Sequence, residues 1–365
     1  MLNFCPERIY VERSVKDESI TANILCKFSS VPIEYVENPK ILIKKAALAK
    51  DAISKGKRRI FVTKYKGKVL KKCPGTKYHI CCNYYVLNIA TNCYLDCTYC
   101  VLQSYLLNNP LLVVFANIEK FLKGLEEVFS RKNGKFYRIG TGELTDSLAL
   151  DGITNFSKIL VPFFAKWNNT ILELKTKTDS ISNLYRLDHK ERTVVSFSLN
   201  PQRIIQNEEP NTSTLKDRIE AARICQELGY RLGFHFDPLI YYHGWEEGYY
   251  ETVKALSERI DPGRIVWISL GALRFMPNLK PIIKERFPHC KLIYEELFPG
   301  LDSKLRYFKP IRVEMYRKLL KFIRSYNPGI FVYLCMETRE VWERVFGWSP
   351  MSNTHLGHLL DERVR

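Results

Sequence analysis

The chain has 365 residues, with 56 Lys and Arg against 39 Asp and Glu and a formal net charge of +17. Charged residues at 26% and hydrophobic ones at 46% are ordinary globular values; they exclude a disordered or collagen-like chain, and the length allows one large or two medium domains. The longest apolar run, Leu111 to Ala116, is far short of the roughly 18 residues of a membrane span, and the start lacks the basic and apolar regions of a secretory signal. Eleven cysteines without an export signal fit thiolate ligands or buried thiols better than disulfides, so the expected compartment is a reducing cytoplasm.

In chain order, residues 1–75 read as a first region: a weakly patterned start, a helix near Pro39 to Ser54, then a basic run from Lys55 to Lys72. From about Ile80, short β-rich runs alternate with amphipathic stretches. Strands are expected at Asn83–Ile89, Phe136–Gly140, Ile171–Thr176, Val194–Leu199, Arg231–Phe236 and Ile265–Leu270. Helices are expected near Ile118–Arg131, Ile153–Ala165, Leu215–Leu228, Glu246–Arg259 and Leu279–Arg286. Such alternation implies βαβ units and a parallel sheet, and six units make an open or partial barrel with its active site at the C-terminal strand ends. That barrel would occupy residues 76–300. A C-terminal α/β extension over 301–365 holds a basic-aromatic stretch, a helix near Val313–Ser325, a strand near Ile330–Leu334 and a helix near Arg339–Phe346.

Nine of the eighteen residues from Lys55 to Lys72 are Lys or Arg, and Lys304 to Arg312 repeats the basic-aromatic character. Phosphate backbones attract such patches, and aromatic rings between the charges can stack on bases. Lys57, Arg58, Arg59, Lys304, Arg306, Tyr307 and Lys309 are therefore candidate contacts to nucleic acid. A lysine-rich surface that only maintains solubility is the competing reading.

The sharpest local feature is Cys93-Tyr94-Leu95-Asp96-Cys97-Thr98-Tyr99-Cys100, directly after the first expected strand. Three thiolates on one loop can each hold one iron of a [4Fe–4S] cube, leaving the fourth iron open to substrate or cofactor. A structural zinc site is the first competitor, but zinc wants four ligands. Inert buried thiols are the second, although three Cys in eight residues beside Asp and Thr are not core patterning. The other eight cysteines show no ligand spacing and are expected as free thiols; Cys81 and Cys82 precede the first strand and are expected away from the barrel mouth.

This spacing, with an aromatic residue before the third cysteine, resembles the radical S-adenosylmethionine superfamily. The resemblance implies a partial (β/α)6 barrel with N- and C-terminal extensions. It implies a cofactor chelated to the open iron and cleaved to a 5′-deoxyadenosyl radical, with electrons from a low-potential donor such as a flavodoxin or ferredoxin. Arg138-Ile139-Gly140-Thr141-Gly142-Glu143 follows the second strand and looks like the superfamily's glycine-glycine-glutamate loop, where glycines permit close backbone approach and a carboxylate can bind an ammonium. Within the superfamily the chain is similar to the spore photoproduct lyases, which reverse a thymine–thymine photoadduct in DNA. The similarity runs from about Asn83 to Gly248 through the cluster loop, Thr176-Lys177-Thr178-Asp179, Phe197-Ser198-Leu199-Asn200, His235-Phe236-Asp237-Pro238 and Gly244-Trp245-Glu246-Glu247-Gly248. It assigns cofactor contacts to Tyr99, Gly140, Thr141, Gly142, Glu143, Lys177 and Ser198, with Tyr99 and Glu143 the candidate catalytic residues.

Two positions depart from that family. The cysteine that returns a hydrogen atom to the product radical is here Glu143, and the tyrosine after the third cluster cysteine is here Val101. A carboxylate has no weak S–H bond, so the final step must differ, either as repair with another donor or as different radical chemistry. Two further readings stand beside repair: a radical enzyme acting on a small molecule or protein, and a nucleic-acid-binding protein whose cluster is structural or senses redox state. His235 and Asp237 at the fifth strand end suit either the adenosine or the barrel interior. Tyr241, Tyr242, His243 and Trp245 suit either a ligand cover or helix packing.

Overall fold

The structure, a computed structural model, describes residues 4–131 and 134–365. Its centre is a curled sheet with strands in the order Val332–Leu334, Ile265–Ala272, Arg231–Leu239, Thr193–Ser198, Thr170–Thr176, Tyr137–Gly140, Tyr85–Leu87 and Leu70–Lys72. Every neighbouring pair is parallel except the last. The six expected strands are present as successive neighbours. The strand expected in the C-terminal extension joins them as a seventh parallel member, and Leu70–Lys72 adds an antiparallel edge. Runs such as Thr193–Ser198 are buried along their whole length, as strands covered on both faces must be, and β-branched and aromatic residues suit them to it.

Helices flank the strands where periodicity places them, including Leu215–Glu227, which Thr214 caps by accepting from the Asp217 amide. The helix expected over residues 153–165 is two, Asp151–Thr154 and Phe156–Phe164. Asn155 between them is left-handed at φ 56°, and the Asp151 carboxylate caps the second by accepting from the Ser157 amide at 2.8 Å. Local side-chain bonding by Asx residues competes with continuous helix. The helix expected near Pro39 to Ser54 divides the same way, into Pro39–Ala47 and Ala52–Lys57, because Asp51 starts a new cap. A terminal helix, Asn353–Asp361, has no counterpart in the expected elements; the Arg138–Asp361 ion pair at 2.7 Å ties it to the second barrel strand.

The N-terminal region is a second sheet, ordered Ile33–Val36, Arg8–Glu12, Arg59–Thr63, Leu112–Phe115 and Ala90–Thr91. Its last two strands come from beyond residue 75, so hydrogen-bonded pairing crosses the boundary expected there. One apolar core runs from Ile9 to Val364. A small antiparallel sheet of Arg274–Phe275, Leu305–Tyr307 and Leu297–Pro299 stands beside the barrel. Among the described residues, no helix is long and apolar enough to cross a membrane.

Candidate active site

The cysteine loop leaves the N-terminal sheet at Thr91 and returns to it at Leu112, so both its ends are anchored in that sheet while its centre overhangs the barrel. Asn92 and Asp96 adopt left-handed backbone, φ 70° and 56°, a conformation that Asn and Asp tolerate best after glycine. The loop carbonyls are taken up by protein donors: the Lys57 ammonium reaches Cys93 O at 2.6 Å, and the Gln103 amide reaches Cys97 O and Thr98 O at 3.2 and 2.8 Å. Arg286 grips Asp96 at 2.9 Å. With the backbone so held, the thiols of Cys93, Cys97 and Cys100, all free cysteines, open onto one cavity of about 400 Å³.

The donor set fits a four-iron cluster. Three unpaired thiols border one cavity, and further residues at the barrel strand ends, Lys177, Ser198 and Asp237 among them, border the same space. Burial pushes the Cys93 thiol up to about 12, and a cationic iron site would reverse that by stabilising the thiolate. Among the described residues no three His, Cys, Asp or Glu side chains close around a single metal ion.

Tyr99, Gly142, Glu143, Lys177 and Ser198 line the cavity as expected. Gly140 and Thr141 do not. A Cβ on Gly140 would stand 2.9 Å from the Tyr84 ring, and the Thr141 hydroxyl, fully buried, bonds Ser147 at 2.8 Å. Glu143 accepts from the Tyr84 hydroxyl at 2.5 Å. Lys177 and Tyr99 are more committed than the sequence implies. The Lys177 ammonium lies 2.8 Å from Glu209 and 2.5 Å from the Tyr99 hydroxyl, which itself donates to Glu209. Arg218 holds the other Glu209 oxygen at 2.5 Å; Tyr99, Glu209 and Arg218 are buried and Lys177 is half-buried. Burial alone would raise the Glu209 pKa, but Lys177 and Arg218 hold it well below the usual carboxylate range.

At the fifth strand end, His235 meets Glu173 at 2.8 Å and Asp237 meets Arg274 at 3.0 Å, both on the cavity wall. The Tyr241–Trp245 loop packs instead: Trp245 is buried and Tyr241 lies 6.0 Å from Tyr307, ring to ring. Several cavity residues carry no sequence signal. Asp146 accepts from the Lys177, Leu148 and Ala149 amides and so fixes the second and third strand ends together. Cys73, Cys81, Cys82 and Cys335 also border the cavity, against the expectation that Cys81 and Cys82 lie away from it. The antiparallel Leu70–Lys72 edge swings that segment across the mouth.

The candidate nucleic-acid residues divide. Lys57 is buried under the cysteine loop, because the middle of the basic run, Ile60 to Val62, is a buried sheet strand. Arg306 and Tyr307 are likewise buried, Arg306 forked onto Asp302 at 2.7 Å. All three are thus turned away from the protein surface. Arg58 is exposed and pairs with Glu7; Arg59 and Lys309 are half-buried beside Glu7 and Glu340; Lys304 reaches the cavity wall. Nearby, Phe298 and Phe308 are about half exposed, with ring centroids 5.3 Å apart.

A curled parallel sheet with a three-cysteine loop over its strand ends defines a radical S-adenosylmethionine enzyme. A family model described as spore photoproduct lyase matches residues 4–299. The chain belongs to the spore photoproduct lyase family. It is 28% identical over 261 residues to the spore photoproduct lyase of Geobacillus sp. (strain Y412MC61), covering 71% of each chain. It is 30% identical over 214 residues to that of Bacillus subtilis (strain 168), covering 58% of this chain and 63% of the relative. In fold it matches solved spore photoproduct lyases at a TM-score of 0.80 and 22% identity, covering 91% of this chain and 99% of theirs; one is a double variant with bound AdoMet and dinucleoside spore photoproduct.

Proposed function

We propose that the protein repairs thymine–thymine photoadducts in DNA, with Cys93, Cys97 and Cys100 holding a [4Fe–4S] cluster and Tyr99, Gly142, Glu143, Lys177 and Ser198 facing S-adenosylmethionine. When bound, the cluster and cofactor supply a 5′-deoxyadenosyl radical, with electrons from a low-potential donor such as a flavodoxin or ferredoxin. The observation that carries this reading is the opening of all three loop thiols onto the cavity formed by the barrel strand ends. Lys57, Gln103 and Arg286 keep the loop in place, while the Glu209 network sets the position of Lys177. Lys304 at the cavity wall and the exposed Phe298 and Phe308 offer a cation and two ring faces to phosphate and bases.

The test is anaerobic reconstitution followed by incubation with dinucleoside spore photoproduct, S-adenosylmethionine and dithionite. Restored thymine together with 5′-deoxyadenosine supports the reading. Cofactor cleavage that leaves the photoproduct intact contradicts the substrate. Glu143 and Val101 favour repair that ends differently from the family pattern.

A further inference from the structure

We propose that Lys175 and Ser269 hold the lesion itself, donating hydrogen bonds to ring carbonyl oxygens of the photoproduct. The assignment rests on the lyase reading above and names the side chains that meet its substrate.

Six lysines and arginines border the cavity among the described residues. Five of them are committed: Lys57 to Cys93 O, Arg138 to Asp361, Lys177 to Glu209, Arg274 to Asp237 and Lys304 to Asp302. The half-buried Lys175 is the exception, because among the described residues its ammonium has no hydrogen-bond or ion-pair partner. Its backbone is nonetheless fixed. The Lys175 amide donates to Ser147 Oγ, and its carbonyl accepts from the Ser147 amide, each at 3.0 Å. Its stem lies along Gly142, where an added Cβ would stand 3.2 Å from Lys175 Cβ and 3.4 Å from its Cε. Burial disfavours the ammonium, but the carboxylates of Glu143, Glu173 and Asp237 outweigh it and raise the pKa, so the group is charged at neutral pH.

A second donor faces the same space from the sixth barrel strand, Ile265–Ala272. Ser269 is 1% exposed and borders the cavity, and its Oγ has no hydrogen-bond partner among the described residues. A buried hydroxyl left unpaired costs free energy, so such a group points to a ligand. The polar cluster beside it is already closed: Glu173 accepts from Ser196 at 2.6 Å, His235 at 2.8 Å and Trp267 at 3.3 Å.

Phosphate, the cofactor's carboxylate and a pyrimidine carbonyl are the acceptors to choose among. Glu173 lies two residues before Lys175 on the same face of the strand, and Asp237 also borders the cavity. A further full negative charge is repelled there, whereas a neutral carbonyl asks only for donors. Position agrees. Lys175 precedes Lys177 by two residues, which sets it about 6–7 Å deeper in the barrel, away from the strand ends beneath the cysteine loop.

Equilibrium dialysis of dinucleoside spore photoproduct against the reconstituted chain, with S-adenosylmethionine but no reductant, measures binding without turnover. Lys175→Met should weaken it about tenfold or more and Ser269→Ala about threefold, the loss of one charge-assisted and one neutral hydrogen bond. The Kd of S-adenosylmethionine should stay the same in both variants. The dinucleotide photoproduct, which adds the bridging phosphate, should show the same ratios. Unchanged photoproduct affinity in either variant overturns the assignment of that residue. A loss confined to the dinucleotide moves the contact to phosphate, and a weakened cofactor Kd moves it to the cofactor's carboxylate; both overturn the proposal and leave the lyase reading intact. Wild type that neither binds nor consumes the photoproduct overturns both.

Discussion

Lys57 donates from its ammonium to the backbone carbonyl of Cys93 across 2.6 Å and lies 3.4 Å from the Asp96 carboxylate. A lysine from the most basic run in the chain is thus a brace beneath the cysteine loop. Lys57→Ala should leave the loop carbonyl without its donor and lower the iron retained after reconstitution by at least half. The salt dependence of DNA binding should not change, whereas loss of a true phosphate contact would reduce its logarithmic slope by about 1. Iron analysis and binding titrations at several salt concentrations check both.

Glu209 compensates two cations, the half-buried Lys177 and the buried Arg218. Glu209→Gln should destabilise the chain by about 3–5 kcal/mol, the usual cost of leaving buried charge unpaired, as read by denaturant unfolding. The pH dependence follows from the depressed folded-state pKa. The unfolded carboxyl titrates near about 4.3, so the stabilisation is complete above that pH and is lost as pH falls toward the folded value. The stability gap between wild type and Glu209→Gln should therefore narrow below about pH 4.

Gly140 lets the Tyr84 ring approach the second barrel strand closely, where an added Cβ would stand 2.9 Å from it. Gly140→Ala should cost about 1–3 kcal/mol by overpacking, and it should displace Tyr84 from Glu143. Thermal unfolding and the near-ultraviolet circular dichroism of the tyrosine report the two effects.

Phe308 is about half exposed, with its ring centroid 5.3 Å from that of Phe298. Phe308→Ala should change stability by no more than about 0.5 kcal/mol. DNA affinity should nevertheless fall by about 1–3 kcal/mol if the ring stacks on a base. Fluorescence anisotropy with labelled DNA measures it.

The parallel barrel was legible because its strands are buried on both faces and read as continuous apolar runs, as in Thr193–Ser198. The cysteine loop was legible from spacing alone. Residues set by tertiary placement were not. Glu209 follows Glu208 in the sequence, and nothing local shows that Lys177 and Arg218 converge on it. The basic runs misled because composition counts charge without direction: Lys57 and Arg306 turn inward to Asp96 and Asp302. Cys73 and Cys335 reach the cavity through an edge strand and a seventh barrel strand whose pairing no local pattern encodes.

The most direct test follows deuterium from photoproduct labelled at the abstracted position into 5′-deoxyadenosine made by the reconstituted protein. Transfer of the label, with thymine restored, is the expected result. Unlabelled 5′-deoxyadenosine, formed at the same rate whether or not the photoproduct is present, would contradict the assignment of this cavity to photoproduct repair.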